Sequence, residues 1–331
     1  MKTTLAALLT GHPDDAPAIG APDREWLDYG GLRRLSAQIS AQLHASGIGR
    51  SDRVAIVLPN GPEMATAFVT IAQTAVTAPL NPGYREDEYA FYFNDLKAKG
   101  LVVENDYDGP AMAAADRAGV HILRVIVGDD DPAGWFDLKA HGKTSLVAEL
   151  SLPGADDIAL ILHTSGTTSR PKIVPLLHSN VAASAHNVMT SLDLTAADRC
   201  LNIMPLFHIH GLIAAVSASL AAGGSVWCSA GFDGLRFFRF LKEAQPTWYT
   251  AVPTMHQAIL SRATRNADVT AGTPLRFLRS SSAPLPAQGH GRPDRDVRRT
   301  GDRGVWYDRS GASDDIKSVA ASGSEARISR Y

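Results

Sequence analysis

Cysteine is scarce. The 331 residues contain two, Cys200 and Cys228, and neither has a partner at metal-site spacing. So few exclude a disulfide-stapled secreted scaffold and fit a reducing compartment. Long apolar runs are also missing: none reaches the ~18 residues of a membrane-spanning helix. Residues 1–10 have only a short apolar part before the polar stretch 11–15, so a short N-terminal helix is expected there rather than a leader, and the protein is expected to be cytoplasmic. Excess charge is lacking too. Thirty-two Lys and Arg against 34 Asp and Glu leave a net charge of −2, which removes the electrostatic case for a nucleic-acid partner. There is no G-x-x-x-x-G-K-[ST] loop and no internal repeat.

What is present is alternation. Apolar residues Leu32, Leu35, Ile39 and Leu43 recur at helical spacing over 32–46, and Gly47 can end that helix. Residues 54–58 read as a strand. Pro62 can open a buried helix over 64–76. Residues 78–81 read as a short edge, 86–97 as a helix, 101–103 as a strand, 111–118 as a helix and 121–127 as a strand. Residues 129–143 read as a surface loop. Further on, 178–191 is a capped helix, 200–204 a strand, 212–222 a helix apolar all round, and 225–228 a strand. An amphipathic helix follows over 232–244, then strands at 247–250 and 275–278. Strands alternating with helices predict an α/β fold, mostly parallel sheets flanked by helices.

The most informative stretch follows the apolar run 158–162, which reads as a buried strand. The run breaks into Thr164, Ser165, Gly166, Thr167 and Thr168, then Ser169, Arg170, Pro171 and Lys172. Glycine lets backbone approach a ligand closely. Successive N–H groups form a concave nest for phosphate oxygens, and a Lys adds a full charge. The plain alternative is a Ser/Thr-rich surface turn, but the whole string with its Pro-Lys is far more specific. It resembles the phosphate loop of the adenylate-forming acyl-CoA synthetases, T-S-G-T-T-G-x-P-K-G-V, with Ser169 and Ile173 where that family has Gly. Residues 52–60 and 78–82 resemble its N-terminal blocks and are read as scaffold.

Two more segments carry the resemblance. In residues 205–211, Pro-Leu-Phe-His-Ile-His-Gly, the two histidines stand two apart; on a strand both would lie on one face. A metal pair is one reading, without a nearby Cys or carboxylate to complete it; packing plus a hydrogen bond is another. The segment resembles the family's P-L-F-H-x-x-G block, whose His lines the acyl cavity near the reacting carboxylate. The resemblance carries that catalytic place to His208 and makes His210 a polar pocket group. Residues 280–284, Ser-Ser-Ser-Ala-Pro, resemble the segment that lies against the adenine ring, which implies nucleotide contacts for Ser281, Ser282 and Ala283. Together these segments look like the oxalate–CoA ligase branch, implying a small acid and a polar pocket that includes Arg279.

The resemblance ends near residue 286. Residues 287–331 are rich in Arg, Asp, Gly and Ser and read as a disordered tail. The family's G-M-T-E block is missing, yet Trp306 is encoded only by TGG, and one base forward residues 306–310 can be read as G-M-T-E. The whole stretch from 287 can be read this way as a helix and a strand leading to that motif, so a frameshift is expected near Pro286. The expected organisation is an extension (1–21), a partial AMP-binding domain (22–286) and a non-homologous tail (287–331). By resemblance the reaction joins a small carboxylic acid, such as oxalate, or a fatty acid to coenzyme A. ATP with Mg²⁺ first yields the acyl-adenylate, on phosphates held by Thr164–Thr168 and Lys172. Three readings stay open: an impaired ligase, a half-enzyme needing a partner domain, and a non-catalytic nucleotide-binding fragment.

Overall fold

In a computed structural model the described residues are 2–140, 151–163 and 171–281. Thr164 and three strands beyond residue 296 are described by backbone alone. The chain opens with α1 (Leu5–Leu8), capped by the Thr4 hydroxyl, which accepts from the Ala7 N–H. β1 (Pro17–Gly20) and β2 (Leu27–Asp28) follow. α2 (Tyr29–Ala45) starts at Asp28, whose carboxylate accepts from the Gly31 N–H, so Asp28 satisfies a helix-end donor. Next come β3 (Arg53–Val57), α3 (Pro62–Ile71), β4 (Val76–Pro79), α4 (Glu86–Leu96), β5 (Gly100–Glu104), α5 (Pro110–Ala118), β6 (His121–Ile126) and β7 (Asp137–Ala140). β8 (Ile158–Thr164) and β9 (Lys172–Leu177) form a hairpin, and α6 (His178–Ser191) leads to β10 (Arg199–Asn202). A π-helix (His210–Ser217) continues into α7 (Ala218–Ala221), then β11 (Ser225–Cys228), α8 (Phe237–Ala244), β12 (Trp248–Ala251), α9 (Pro253–Ala263), α10 (Ala267–Gly272) and β13 (Phe277–Ser280). The backbone strands are β14 (Val297–Thr300), β15 (Val305–Asp308) and β16 (Arg327–Arg330).

Two sheets result. One runs β7-β6-β5-β3-β4-β8-β9, parallel inside with antiparallel strands at both edges. The other runs β14-β15-β16-β13-β12-β10-β11-β1-β2, parallel from β16 to β1. Helices α2, α3, α6 and the π-helix lie between the sheets, α4 and α5 cover the far face of the first, and α8 and α9 the far face of the second. Alternate residues of each inner strand enter different cores. Val54 and Ile56 of β3 face the central layer while Ala55 and Val57 face α4 and α5. In β12, Trp248 faces the centre while Tyr249 and Ala251 face α8 and α9. Strands buried on both faces read as apolar runs, which is why they were legible.

The fold class expected from sequence is the one observed, but four local expectations are corrected. The short edge expected over 78–81 begins as the end of an interior strand: β4 (Val76–Pro79) lies between β3 and β8, and the Thr77 hydroxyl donates to the Ala159 carbonyl at 2.7 Å. Pro79 ends the strand beyond Thr77↔Leu160, the described pairing with β8, so its missing N–H breaks no described bond to that neighbour. The loop expected over 129–143 contains β7. Residues 172–174 belong to β9 and not to a loop. The helix expected over 212–222 begins at His210 and is π-wound for its first eight residues. Leu5, Leu8 and Ile19, from the first 21 residues, are buried in the central core.

Candidate functional site

The candidate phosphate loop joins the two arms of the β8–β9 hairpin. Thr164 and Lys172 are Cα partners at its open end, so the backbone brings both ends of the loop together. Lys172 is exposed. Ser165, Gly166, Thr167 and Thr168 lie outside the described residues. His163, just before the loop, is tied to α4: its Nε2 lies 3.3 Å from Asp95, and its ring meets Tyr92 edge-on at 4.5 Å.

His208 and His210 do not share a face, which corrects the strand reading. After Pro205 the chain turns so tightly that a Cβ on Gly211 would lie 2.5 Å from the Pro205 carbonyl oxygen. His208 is left exposed with its ring 4.5 Å from Phe207, while His210, 8% exposed, opens the π-helix and points inward. There it meets the second sheet. Thr250 and Arg279, Cα partners on β12 and β13, sit at the carboxyl ends of these strands. Arg279 is 4% exposed. Its Nη1 donates to His210 Nε2 at 2.8 Å and to the Thr250 hydroxyl at 3.0 Å, and that hydroxyl is 2.5 Å from His210 Nε2. Burial, followed by the charge of Arg279, pushes the His210 pKa down to about 3, so the ring is neutral near pH 7. Among the described residues no group of three or more His, Cys, Asp or Glu gathers as a metal site. Ser281 follows β13, its N–H donating to the Ala251 carbonyl at 3.2 Å. Ser282, Ala283 and the point near Pro286 where a frameshift was expected lie outside the described residues.

Sequence reasoning missed four supporting residues. Thr250 was read only as strand. Tyr249 and His256 form a hydrogen-bonded pair that reaches the Arg279 carbonyl, at 3.2 Å for each step. Asn60, assigned to scaffold, bridges the sheets: its carbonyl oxygen accepts from Leu206 N–H at 2.8 Å, and its amide donates to the Ser229 carbonyl at 3.1 Å. The sequence signal was Leu-Pro-Asn closing a strand, a spot where an amide side chain can cap a neighbouring loop. A cleft of about 650 Å³ opens beside Asn60, walled by Glu63, Glu104 and Tyr107, and holds none of the site residues expected from sequence. Burial, then the charges of Glu63 and Asp106, raises the Glu104 pKa.

In open α/β sheets the crevice outside the carboxyl ends of parallel strands is the usual place for a small ligand. The same architecture occurs in the ATP-bound crystal structure of MatB from Rhodopseudomonas palustris, with a TM-score of 0.70 at 26% identity over 86% of this chain and 56% of that one. A model of the AMP-binding enzyme family matches residues 6–297, and the chain belongs to that family, the adenylate-forming acyl-CoA synthetases. It is 38% identical to a probable CoA ligase of Humulus lupulus over 78% of this chain and 50% of that one. It is 37% identical to an oxalate–CoA ligase of Arabidopsis thaliana over 80% and 54%, and 34% identical to one of Saccharomyces cerevisiae over 73% and 48%. The chain thus spans about half the length of these curated relatives. No helix among the described residues is long and apolar enough to cross a membrane.

Proposed function

We propose that this chain carries the large-domain half of an ATP-dependent carboxylate–coenzyme A ligase whose acid is small and anionic. A carboxylate oxygen attacks the α-phosphorus of ATP, giving acyl-adenylate and pyrophosphate; the thiol of coenzyme A then attacks the acyl carbon and releases AMP. Mg²⁺ accompanying ATP would offset the charge of its phosphates. Thr164, Ser165, Gly166, Thr167, Thr168 and Lys172 hold the phosphates. The hairpin supports this, because paired Thr164 and Lys172 close the loop at its base. Ser281, Ser282 and Ala283 flank the adenine, and His208 lies at the reacting carboxylate. Chemistry of this kind depends on positioning and on neutralising phosphate charge.

The observation that carries the choice of acid is the buried Arg279, bonded to His210 and Thr250 at the strand ends. A fatty-acid tail gains by burial against apolar walls, whereas a guanidinium and a neutral imidazole favour a second oxygen-rich group. Oxalate therefore fits this cluster better than a fatty acid, in keeping with the named activity of the Arabidopsis relative. The test is ATP–pyrophosphate exchange across a panel of acids. Exchange is expected with oxalate or another short diacid and not with palmitate, and Lys172→Ala should lower it about a hundredfold. ATP binding that Lys172→Ala abolishes, without exchange for any acid, would instead favour the non-catalytic nucleotide-binding reading. Exchange that appears only when a C-terminal domain is added in trans would favour the half-enzyme.

A further inference from the structure

The cleft beside Asn60 lies where the winding of the first sheet reverses. β3 and β5 are parallel neighbours. The chain leaves β3 into α3, in the central layer, and leaves β5 into α5, on the far face. Adjacent strands whose outgoing loops part in this way leave a crevice between their carboxyl ends, where open α/β sheets take their ligands. The second sheet closes the crevice with Cys228 and Ala230. Its volume of about 650 Å³ is that of a small-molecule site. The loop over 104–107 that forms one wall is held in place: Arg124 Nη1 donates to the carbonyls of Glu104 at 3.3 Å, of Tyr107 at 3.1 Å and of Asn105.

The floor is apolar. Leu58 and Val125 are buried there. Burial, then the charge of Glu63, raises the pKa of the Cys228 thiol, so it stays uncharged. Val127 carries the apolar surface out to the mouth, where it is 41% exposed. The charges of the rim do not balance. Arg24 is committed to Glu63 and to the carbonyls of Asp131 and Pro132. The charges that act on Glu104 are Glu63 and Asp106, both of its own sign. A cation relieves that repulsion, and an alkyl stem covers the floor. A bare metal ion gains less: among the described residues no three His, Cys, Asp or Glu gather to hold one.

We propose that this cleft is a second binding site, taking an aliphatic diamine or polyamine with one ammonium group against Glu104 and its methylene stem along Leu58, Val125 and Val127. Neither the ends of the phosphate loop nor Arg279 lines it, and it does not depend on the ligase reading. An ammonium has donors and no acceptor, which suits a carboxylate rim. The apolar floor selects against the ammonium ion itself, and the excess negative charge selects against a carboxylic acid of the same length.

The test is calorimetry on the whole chain with putrescine as the probe, at about pH 7.5 and about 0.15 M salt, where both amines are protonated. Saturable binding at a single site is expected, with ammonium chloride, magnesium chloride and butanol each weaker by about tenfold or more. Glu104→Gln should weaken putrescine about tenfold, and Val127→Ser about threefold. Asp268→Asn, which removes an exposed carboxylate on α10, should leave the affinity unchanged. Glu104 and Val127 are exposed, so their variants should keep the parent's melting temperature. On acidification the affinity should fall before the ordinary 4.5 of a glutamate is reached, because Glu104 takes up its proton early. No binding of putrescine, equal losses in Glu104→Gln and Asp268→Asn, or magnesium bound as tightly as putrescine would each overturn the proposal. Butanol bound as tightly as putrescine would do so too, by showing an apolar pocket without a use for charge.

Discussion

At the scale of single residues, burial of an imidazole against a guanidinium has a thermodynamic consequence. Arg279, His256 and His208 all disfavour charge on His210, after burial itself. The folded-state pKa of about 3 lies below the ordinary 6.5, so on acidification the unfolded chain takes up a proton that the folded chain refuses. Stability contributed by the neutral ring is therefore intact above about pH 6.5 and falls as pH drops toward 3. Between about pH 7 and pH 5 this single site should cost ~2 kcal/mol. Urea denaturation at the two pH values measures it: the pH-dependent loss should be smaller in His210→Gln by about that amount, and parallel losses in parent and variant would refute the assignment.

At the scale of elements, the loop bearing both histidines is held from the other sheet. Asn60 follows β3 in the first sheet, yet its side chain accepts from Leu206 N–H beside β10 and donates to Ser229 beyond β11. Removing it leaves a half-buried N–H without its acceptor, so Asn60→Ala should cost about 1–3 kcal/mol. In the proposed reaction it should raise the KM for the acid more than it lowers the rate at saturation. Denaturant titration and exchange kinetics check the two halves of that statement. An unchanged KM with unchanged stability would show that the 205–211 segment holds its own shape.

At the scale of the molecule, one helical layer serves two sheets. The central core takes Val54, Ile56 and Leu160 from the first sheet and Ile19, Cys200, Val226 and Trp248 from the second. Neither sheet can shed its partner without exposing α2, α3 and α6. The described body should therefore unfold in a single cooperative step, with tryptophan fluorescence and far-UV circular dichroism giving the same midpoint. Two separated midpoints would mean that the sheets are independent folding units despite their shared layer.

Much of the fold could be read directly: two-sided burial writes strands as apolar runs, and the helices between them carry helical spacing, Pro at their starts and Gly at their ends. The phosphate-loop string and the histidine pair were legible for the same reason, since local chemistry is written in consecutive residues. Three features were not. Residues 78–81 read as an edge because nothing in them tells which strands will flank β4. The π-winding at His210 arises where Gly211 packs against the Pro205 carbonyl, a contact set by chain reversal. The partnership of His210 with Thr250 and Arg279 spans 40 and 69 residues. By itself, then, the sequence determined the α/β class, the family resemblance and the types of chemical group available. Only the tertiary structure decided that His208 stays exposed while His210 is buried against Arg279 and Thr250. The reason is physical: what surrounds a side chain is set by chain reversal and strand pairing, and here the neighbours of the ring come from distant strands.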